Sequence, residues 1–289
     1  MRFVHSLWSE PSLDDRWGID GKDAIITNMW YYALSVAYLK RLGQEVVLHT
    51  DNFGKICLDH VPYDHIYLTL EEQIPKGICP VMWACGKFYA LREEPLGSVH
   101  IDGDVFIKSK ECLDIINTND YDLLIQNEEQ TVEINMYPKD SKKLEHLIYP
   151  EYIQKVYPKA YNTGILCFNN EKLKDKFITN YFFFHEQIIN DEKIKQFWDI
   201  DRETCPDIIV EQLFIHQLSL GYKALCITDV LLDTKSYQHV IGKKKYRCLE
   251  NCKATLKHID EELYNLTEEK EKYLKETYWI NNIFLKEKI

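Results

Sequence analysis

An α/β fold with a mostly parallel central sheet flanked by helices is what this sequence predicts, on three observations. Apolar, β-branched runs alternate with stretches of helical spacing through the first hundred residues, the order expected of βαβ units. Gly43 and Gly221 stand where two of the helical stretches run out, as helix-stop glycines do. A chain of 289 residues with 45% hydrophobic and 13% aromatic content can fill one large core.

Taken in order, Arg2 to Trp8 reads as a first strand, closed by the polar stretch from Ser9 to Gly21. Asn28 to Leu42 carries Tyr31, Leu34, Ser35, Tyr38, Leu39 and Leu42 at helical spacing, and Glu45 to Asp51 is a compact strand, so the chain begins as a βαβ unit. His65 to Leu70 reads as the next strand and Met82 to Leu91 as a helix. Ser98 to Ile107 then arrives as a buried strand that runs into Asp102-Gly103-Asp104. Cys112 to Ile116 reads as a short helix and Asp122 to Gln126 as a strand. The Pro- and Tyr-rich stretch from Asn127 to Lys159 suits a long irregular connection or lid. Ala160 to Asn169 returns to a strand, Phe177 to Ile189 and Ile208 to Leu220 have helical periodicity, and Lys223 to Ile227 is a last strand. Residues 1–255 make one domain in this reading. Residues 256–289 make a C-terminal helical extension, with Leu256, Ile259, Leu263 and Leu266 on one spacing, that packs on the domain or on a second copy as a homo-oligomer contact.

A formal charge of −11, from 35 basic and 46 acidic residues, argues against a nucleic-acid partner. The nine cysteines are odd in number and scattered. That reads as reduced thiols in a cytoplasmic protein, and Cys248 and Cys252 lack a second pair to complete a zinc site. Met1 to Ser12 offers no apolar stretch long enough for a signal peptide, and no run of ~20 apolar residues is expected to span a membrane.

Two readings compete for Asp102-Gly103-Asp104. Carboxylates at the end of a parallel strand sit where α/β folds take ligands, and their hard oxygens suit Mg or Mn; Asp-Gly-Asp is also an ordinary turn between short strands. Two βα units upstream put the triplet at mid-sheet and favour the first. The sequence lacks G-x-x-x-x-G-K-[ST], G-x-G-x-x-G, H-E-x-x-H and G-x-S-x-G, which removes kinase-like, nicotinamide-dependent, zinc-protease and serine-hydrolase chemistry. Far downstream, Tyr237-Gln238-His239-Val240-Ile241-Gly242 followed by Lys243, Lys244 and Lys245 offers an imidazole, a glycine turn and ammonium groups. With the two aspartates these describe a site for a metal-bound diphosphate; taken alone, the segment is a surface histidine beside a solvated basic turn.

The βα order, Asp102-Gly103-Asp104, Tyr161-Asn162-Thr163-Gly164, Glu211-Gln212 and the His239 to Lys245 segment together resemble GT-A fold glycosyltransferases. The likeness is greatest to the retaining glycogenin and lipopolysaccharide galactosyltransferase-like group, over about residues 1 to 250. The resemblance implies Asp102, Asp104 and His239 as ligands of Mn2+ (or Mg2+), and a nucleotide-sugar donor, usually a UDP-sugar. It implies donor contacts at Lys87, Gly103, Gly242 and Lys245. Ser6 and Trp8, at the end of the first strand, are where the nucleoside would sit, with Trp8 either a stacking surface or a core tryptophan, and Asn162 and Thr163, with Gly164, are either contacts for sugar hydroxyls or plain strand-turn residues. Gln212 takes the position of the family's glutamine near the reacting carbon, with Glu211 beside it where the family has Asp. Val240, Tyr246 and Arg247 depart from the family's late motif, His239, Gly242 and Lys245 match it. The acceptor is left open between a glycan, a lipid-linked sugar and a protein. Two alternatives stand beside this reading: a haloacid dehalogenase-type phosphatase using Asp102 as nucleophile, and a sugar-nucleotide-binding relative without turnover.

Overall fold

The computed structural model of the chain describes residues 1–9, 22–59, 61–76, 78, 82, 84–131, 158–190, 209–230 and 237–239, with backbone alone at 22–30, 209–210 and 237–239. Seven strands form the main sheet: β1 (Arg2–Leu7), β2 (Glu45–Thr50), β3 (His65–Tyr67), β4 (Val99–Ile101), β6 (Leu123–Gln130), β7 (Lys159–Phe168) and β8 (Ala224–Cys226). They lie in the order β3-β2-β1-β4-β7-β6-β8, so β4 is central. β1 pairs in parallel with β2 and with β4, β2 with β3, and β6 with β8. Only β7 among the described strands of this sheet runs the other way, antiparallel to both β4 and β6. β5 (Val105–Ile107) leaves the main sheet and pairs antiparallel with β9 (Tyr237–His239).

The helices in chain order are α1 (Lys22–Arg41), α2 (Asn52–Leu58), α3 (Thr69–Gln73), α4 (Cys85–Glu93), α5 (Lys110–Ile116), α6 (Glu171–Asn190), α7 (Ile215–Leu218) and α8 (Ile227–Val230); a π-helical segment, Ile209–Phe214, leads into α7. Strand alternation sorts the side chains into two cores. Leu123, Ile125, Leu166 and Phe168 meet α4, α6 and α7 on one face, while Leu124, Ile165 and Cys167 meet α1, α2 and α5 on the other. On the first face Phe88 lies 4.1 Å, ring to ring, from Tyr181 and 5.3 Å from Phe177. On the second, Tyr31 and Tyr38 of α1 cover Phe106 of β5.

The structure departs from the sequence reading at particular points. The strand expected over His65 to Leu70 stops at Tyr67, because Thr69 opens α3, which turns Leu70 into the first core. The single strand expected over Ser98 to Ile107 is two strands in two sheets. Asn127 to Gln130, expected in the irregular connection, continues β6 beside β7, with an irregularity in register between Ile125 and Asn127. The helix expected from Ile208 begins as the π-helical segment. α2 was not anticipated at all. Asp51 caps it by accepting from the Gly54 amide at 2.8 Å, and Asp51 also accepts from the Ser9 amide and hydroxyl, each at 2.7 Å. A β-carbon on Gly54 would lie 2.1 Å from Thr50 Oγ1, so only glycine fits there. The extension expected over 256–289, the pair Cys248 and Cys252, and Gly242 and Lys245 lie outside the described residues.

Candidate functional site

Strand order reverses at β1: the chain steps outward from it to β2 and β3, then returns to place β4 on its other side. The crevice beyond the carboxyl ends of two such strands is where open α/β sheets take ligands. Here those ends are Ser6-Leu7 and Ile101-Asp102.

Asp102 leaves the sheet in an ordered way. Its amide still donates to Gly164 of β7 at 2.8 Å, and its carbonyl accepts from the Val105 amide at 3.0 Å, closing a four-residue turn over Gly103 and Asp104. The turn is thus both things the sequence allowed, a turn between two short strands and a pair of carboxylates at the end of the central strand. Val105 in turn faces His239 across the β5–β9 ladder. Directly opposed residues in an antiparallel pair have Cα atoms about 4.5–5.5 Å apart, so the backbone of His239 lies beside the residue that follows Asp104.

Beneath the turn sits a buried charge cluster. Lys87 of α4 is 7% exposed. Its Nζ stands 3.1 Å from Asp102 Oδ1, donates to the Thr163 carbonyl at 3.0 Å and to Thr163 Oγ1 at 3.3 Å, and bonds the carboxylate of Glu211. Glu211, 4% exposed on the π-helical segment, also takes the Thr163 hydroxyl. Burial opposes the charge on Lys87, but Asp102 and then Glu211 outweigh it and hold the ammonium above the usual lysine pKa. Two carboxylates, Asp102 and Glu211, thus share the one ammonium of Lys87. The Asp102 side chain remains 37% exposed, so its pairing with Lys87 does not bury the carboxylate. Carboxylate oxygens such as those of Asp102 and Asp104 are hard donors of the kind that suits Mg2+ or Mn2+. Among the described residues, no three His, Cys, Asp or Glu side chains alone compose a metal group; the imidazole of His239 is not among the described side chains.

The other expected site residues are placed as follows. Ser6 Oγ is 2.9 Å from His100 Nε2, and the Ser6 carbonyl accepts from Tyr32 OH at 2.8 Å. Trp8 is 6% exposed, in the core cluster with Leu70, Met82 and Phe88. Asn162 spends its amide on Glu129 at 2.7 Å and its carbonyl oxygen on the Gly164 amide at 3.0 Å. Gln212 is buried beside Glu211. Lys87, expected to meet the donor, is turned inward by its bonds to Glu211 and Thr163.

Sequence reasoning missed the residues that hold the turn from α1. Ser35 Oγ donates to the Val105 carbonyl at 2.7 Å, which uses its single proton. His5 Nε2, 3.2 Å from that oxygen, must therefore carry the proton it shares, and His5 Nδ1 accepts from Tyr63 OH at 2.8 Å. Burial pushes His5 down to about 3 and raises Tyr63, so both are neutral and the chain of bonds runs one way, Tyr63 to His5 to Ser35 to Val105. The helical period made Ser35 a core position; nothing in sequence marked its partner.

The same histidine predicts a pH dependence. Its folded pKa lies below the unfolded value of about 6.5, so between these values the unfolded chain binds more protons, and stability held above pH ~6.5 is lost as pH falls. His185, pushed down to about 4 by burial and then by Arg92, acts in the same sense. Each histidine is expected to remove about 2 kcal/mol between pH 7 and pH 5. Urea melts across that range check this; His5→Gln is expected to flatten the slope by one histidine's share.

The sequence model of a family described as a family of unknown function (DUF6734) matches residues 1–270. No curated protein matches the chain.

Proposed function

The chain belongs to this family of unknown function, DUF6734, and we propose that it is a metal-dependent glycosyltransferase of GT-A fold that moves a sugar from a nucleoside-diphosphate donor, UDP-linked in the first instance, to a hydroxyl acceptor. The observation that carries the reading is the joining of two segments distant in sequence: Asp102 and Asp104 at the carboxyl end of the central strand, and the backbone of His239 on the strand paired with the residues that follow them. Mn2+ or Mg2+ would be held by Asp102, Asp104 and His239, and when bound it supplies positive charge for the departing diphosphate.

The chain's own residues do the rest. Ser6 and the end of β1 form the wall where the nucleoside lies, and Trp8 supports that wall from the core. Gly242 and Lys245 meet the diphosphate oxygens, the lysine as a point charge. Gln212 is assigned to the reacting carbon, with retention of configuration the expected outcome. Thr163 and Glu211 act from beneath by fixing Lys87, and Asn162 and Gly164 shape the sugar side. The acceptor is a glycan, a lipid-linked sugar or a protein. The free, buried Cys57, Cys85, Cys112 and Cys167 support a reducing, cytoplasmic setting, and no described helix is long and apolar enough to cross a membrane.

The test is thermal melting with Mn(II) and UDP together. At one hundred times Kd, ligand is expected to stabilise the chain by about 2.7 kcal/mol, and slow hydrolysis of a UDP-sugar is expected to accompany it. Neither a shift nor hydrolysis across a panel of nucleotide-sugars sinks the reading. Phosphate released from simple phosphoesters, with no dependence on a nucleotide-sugar, turns it toward the phosphatase.

A further inference from the structure

We propose that Tyr32 of α1 is a positioning residue for the acidic turn, setting the separation of Asp102 and Asp104; this rests on the cation site proposed above. The evidence is the fit of the ring to the turn. A β-carbon built on Gly103 would lie 2.5, 2.6 and 2.7 Å from three atoms of the Tyr32 ring, a distance no real contact shows, so the ring occupies the space any other residue's side chain would need. Gly103 has no left-handed backbone to explain it. Its lack of a side chain is explained by packing.

The ring is itself fixed from two directions. Its hydroxyl donates to the Ser6 carbonyl at the end of β1, at 2.8 Å. Its edge meets the ring of His5 at 5.2 Å and 89°. Ser35, three residues on and on the same helix face, holds the Val105 carbonyl just past the turn. Tyr32 and Ser35 therefore bracket Gly103 to Val105 from α1, while Lys87 holds Asp102 from α4. A cation accepts ligand distances only within roughly ±0.2 Å, so a turn free to move by more than that loses its fit. The tyrosine touches no ligand in this role; it acts through the backbone between the two carboxylates.

The experiment is Mn(II) titration followed by electron paramagnetic resonance, beside thermal melts of the same proteins. Tyr32→Ala is expected to weaken Mn(II) binding about 10–100-fold, the range for residues that orient metal ligands. Tyr32→Phe, which keeps the ring, is expected to stay near wild type. Gly103→Ala is expected to weaken binding as Tyr32→Ala does, and the double variant to be no weaker than Tyr32→Ala alone, because the clash needs both groups. Tyr32→Leu serves if the alanine variant does not fold, with the same weakening expected. A lower melting temperature with unchanged Mn(II) affinity would overturn the inference and leave the proposed function standing. A wild-type chain that takes up no Mn(II) would overturn both.

Discussion

Lys87→Met is expected to lower the unfolding free energy by about 3–5 kcal/mol, the cost of leaving a buried carboxylate without its charge partner. The size follows from where the ammonium sits. It is 7% exposed and joins three elements: Glu211 on the π-helical segment, the Thr163 carbonyl and hydroxyl on β7, and Asp102 at the end of β4. Removing it takes from Glu211, 4% exposed, the ammonium bonded to its carboxylate. Lys87→Met combined with Glu211→Gln removes the buried charges as a pair and is expected to recover most of the loss, an interaction term that a urea-denaturation cycle reads directly. Additive losses would mean that the two side chains do not act as a unit.

Asp102→Asn is expected to do the opposite: little to stability and much to function. Its side chain is 37% exposed, so its pairing with Lys87 is worth at most about 1 kcal/mol, and Lys87 keeps Glu211. The Mn(II)-UDP melting shift is expected to vanish. Donor hydrolysis is expected to fall about 10²–10³-fold, the usual cost of losing one charge-stabilising group. A variant that keeps both the shift and the hydrolysis would return Asp102-Gly103-Asp104 to a plain turn. The contrast between Lys87 and Asp102, neighbours at 3.1 Å, separates a residue that holds the fold from one proposed to hold the ligand.

Much of the frame was legible because local pattern carries it. Val46, Val47 and Leu48 between polar residues can only be a buried strand, and Tyr31, Leu34, Tyr38 and Leu39 share one helix face that does meet the core. The errors came where an apolar run continues through a change of element, as at Leu68 to Leu70, or where a very short helix depends on a cap, as at Asp51. The site was legible as residue types and illegible as partners. Lys87 could be named as basic and Glu211 as acidic, but a separation of 124 positions hides the bond that turns Lys87 inward. Gly103 looked like conformational freedom; the ring that requires it is on a helix whose periodicity says only that Tyr31 and Leu34 are inside. Asp102, Asp104 and His239 were named together on resemblance, and the β5–β9 ladder brings their backbones together.

That small ladder also sets an order of events for a chain as it is made. β1, β2 and β3 pair in sequence order and β4 returns to β1, so this half of the sheet needs no strand later than β4 and can form early. β5 must wait for β9, which lies beyond β6, β7 and β8, and closing so long a loop is among the slow steps of folding. Residues 105–107 therefore emerge from the ribosome long before the strand that covers their edge. Until it arrives, Val105, Phe106 and Ile107 present an unpaired apolar strand edge, with Tyr31 and Tyr38 of α1 over Phe106, and that interval is when a nascent chain is most open to misassociation.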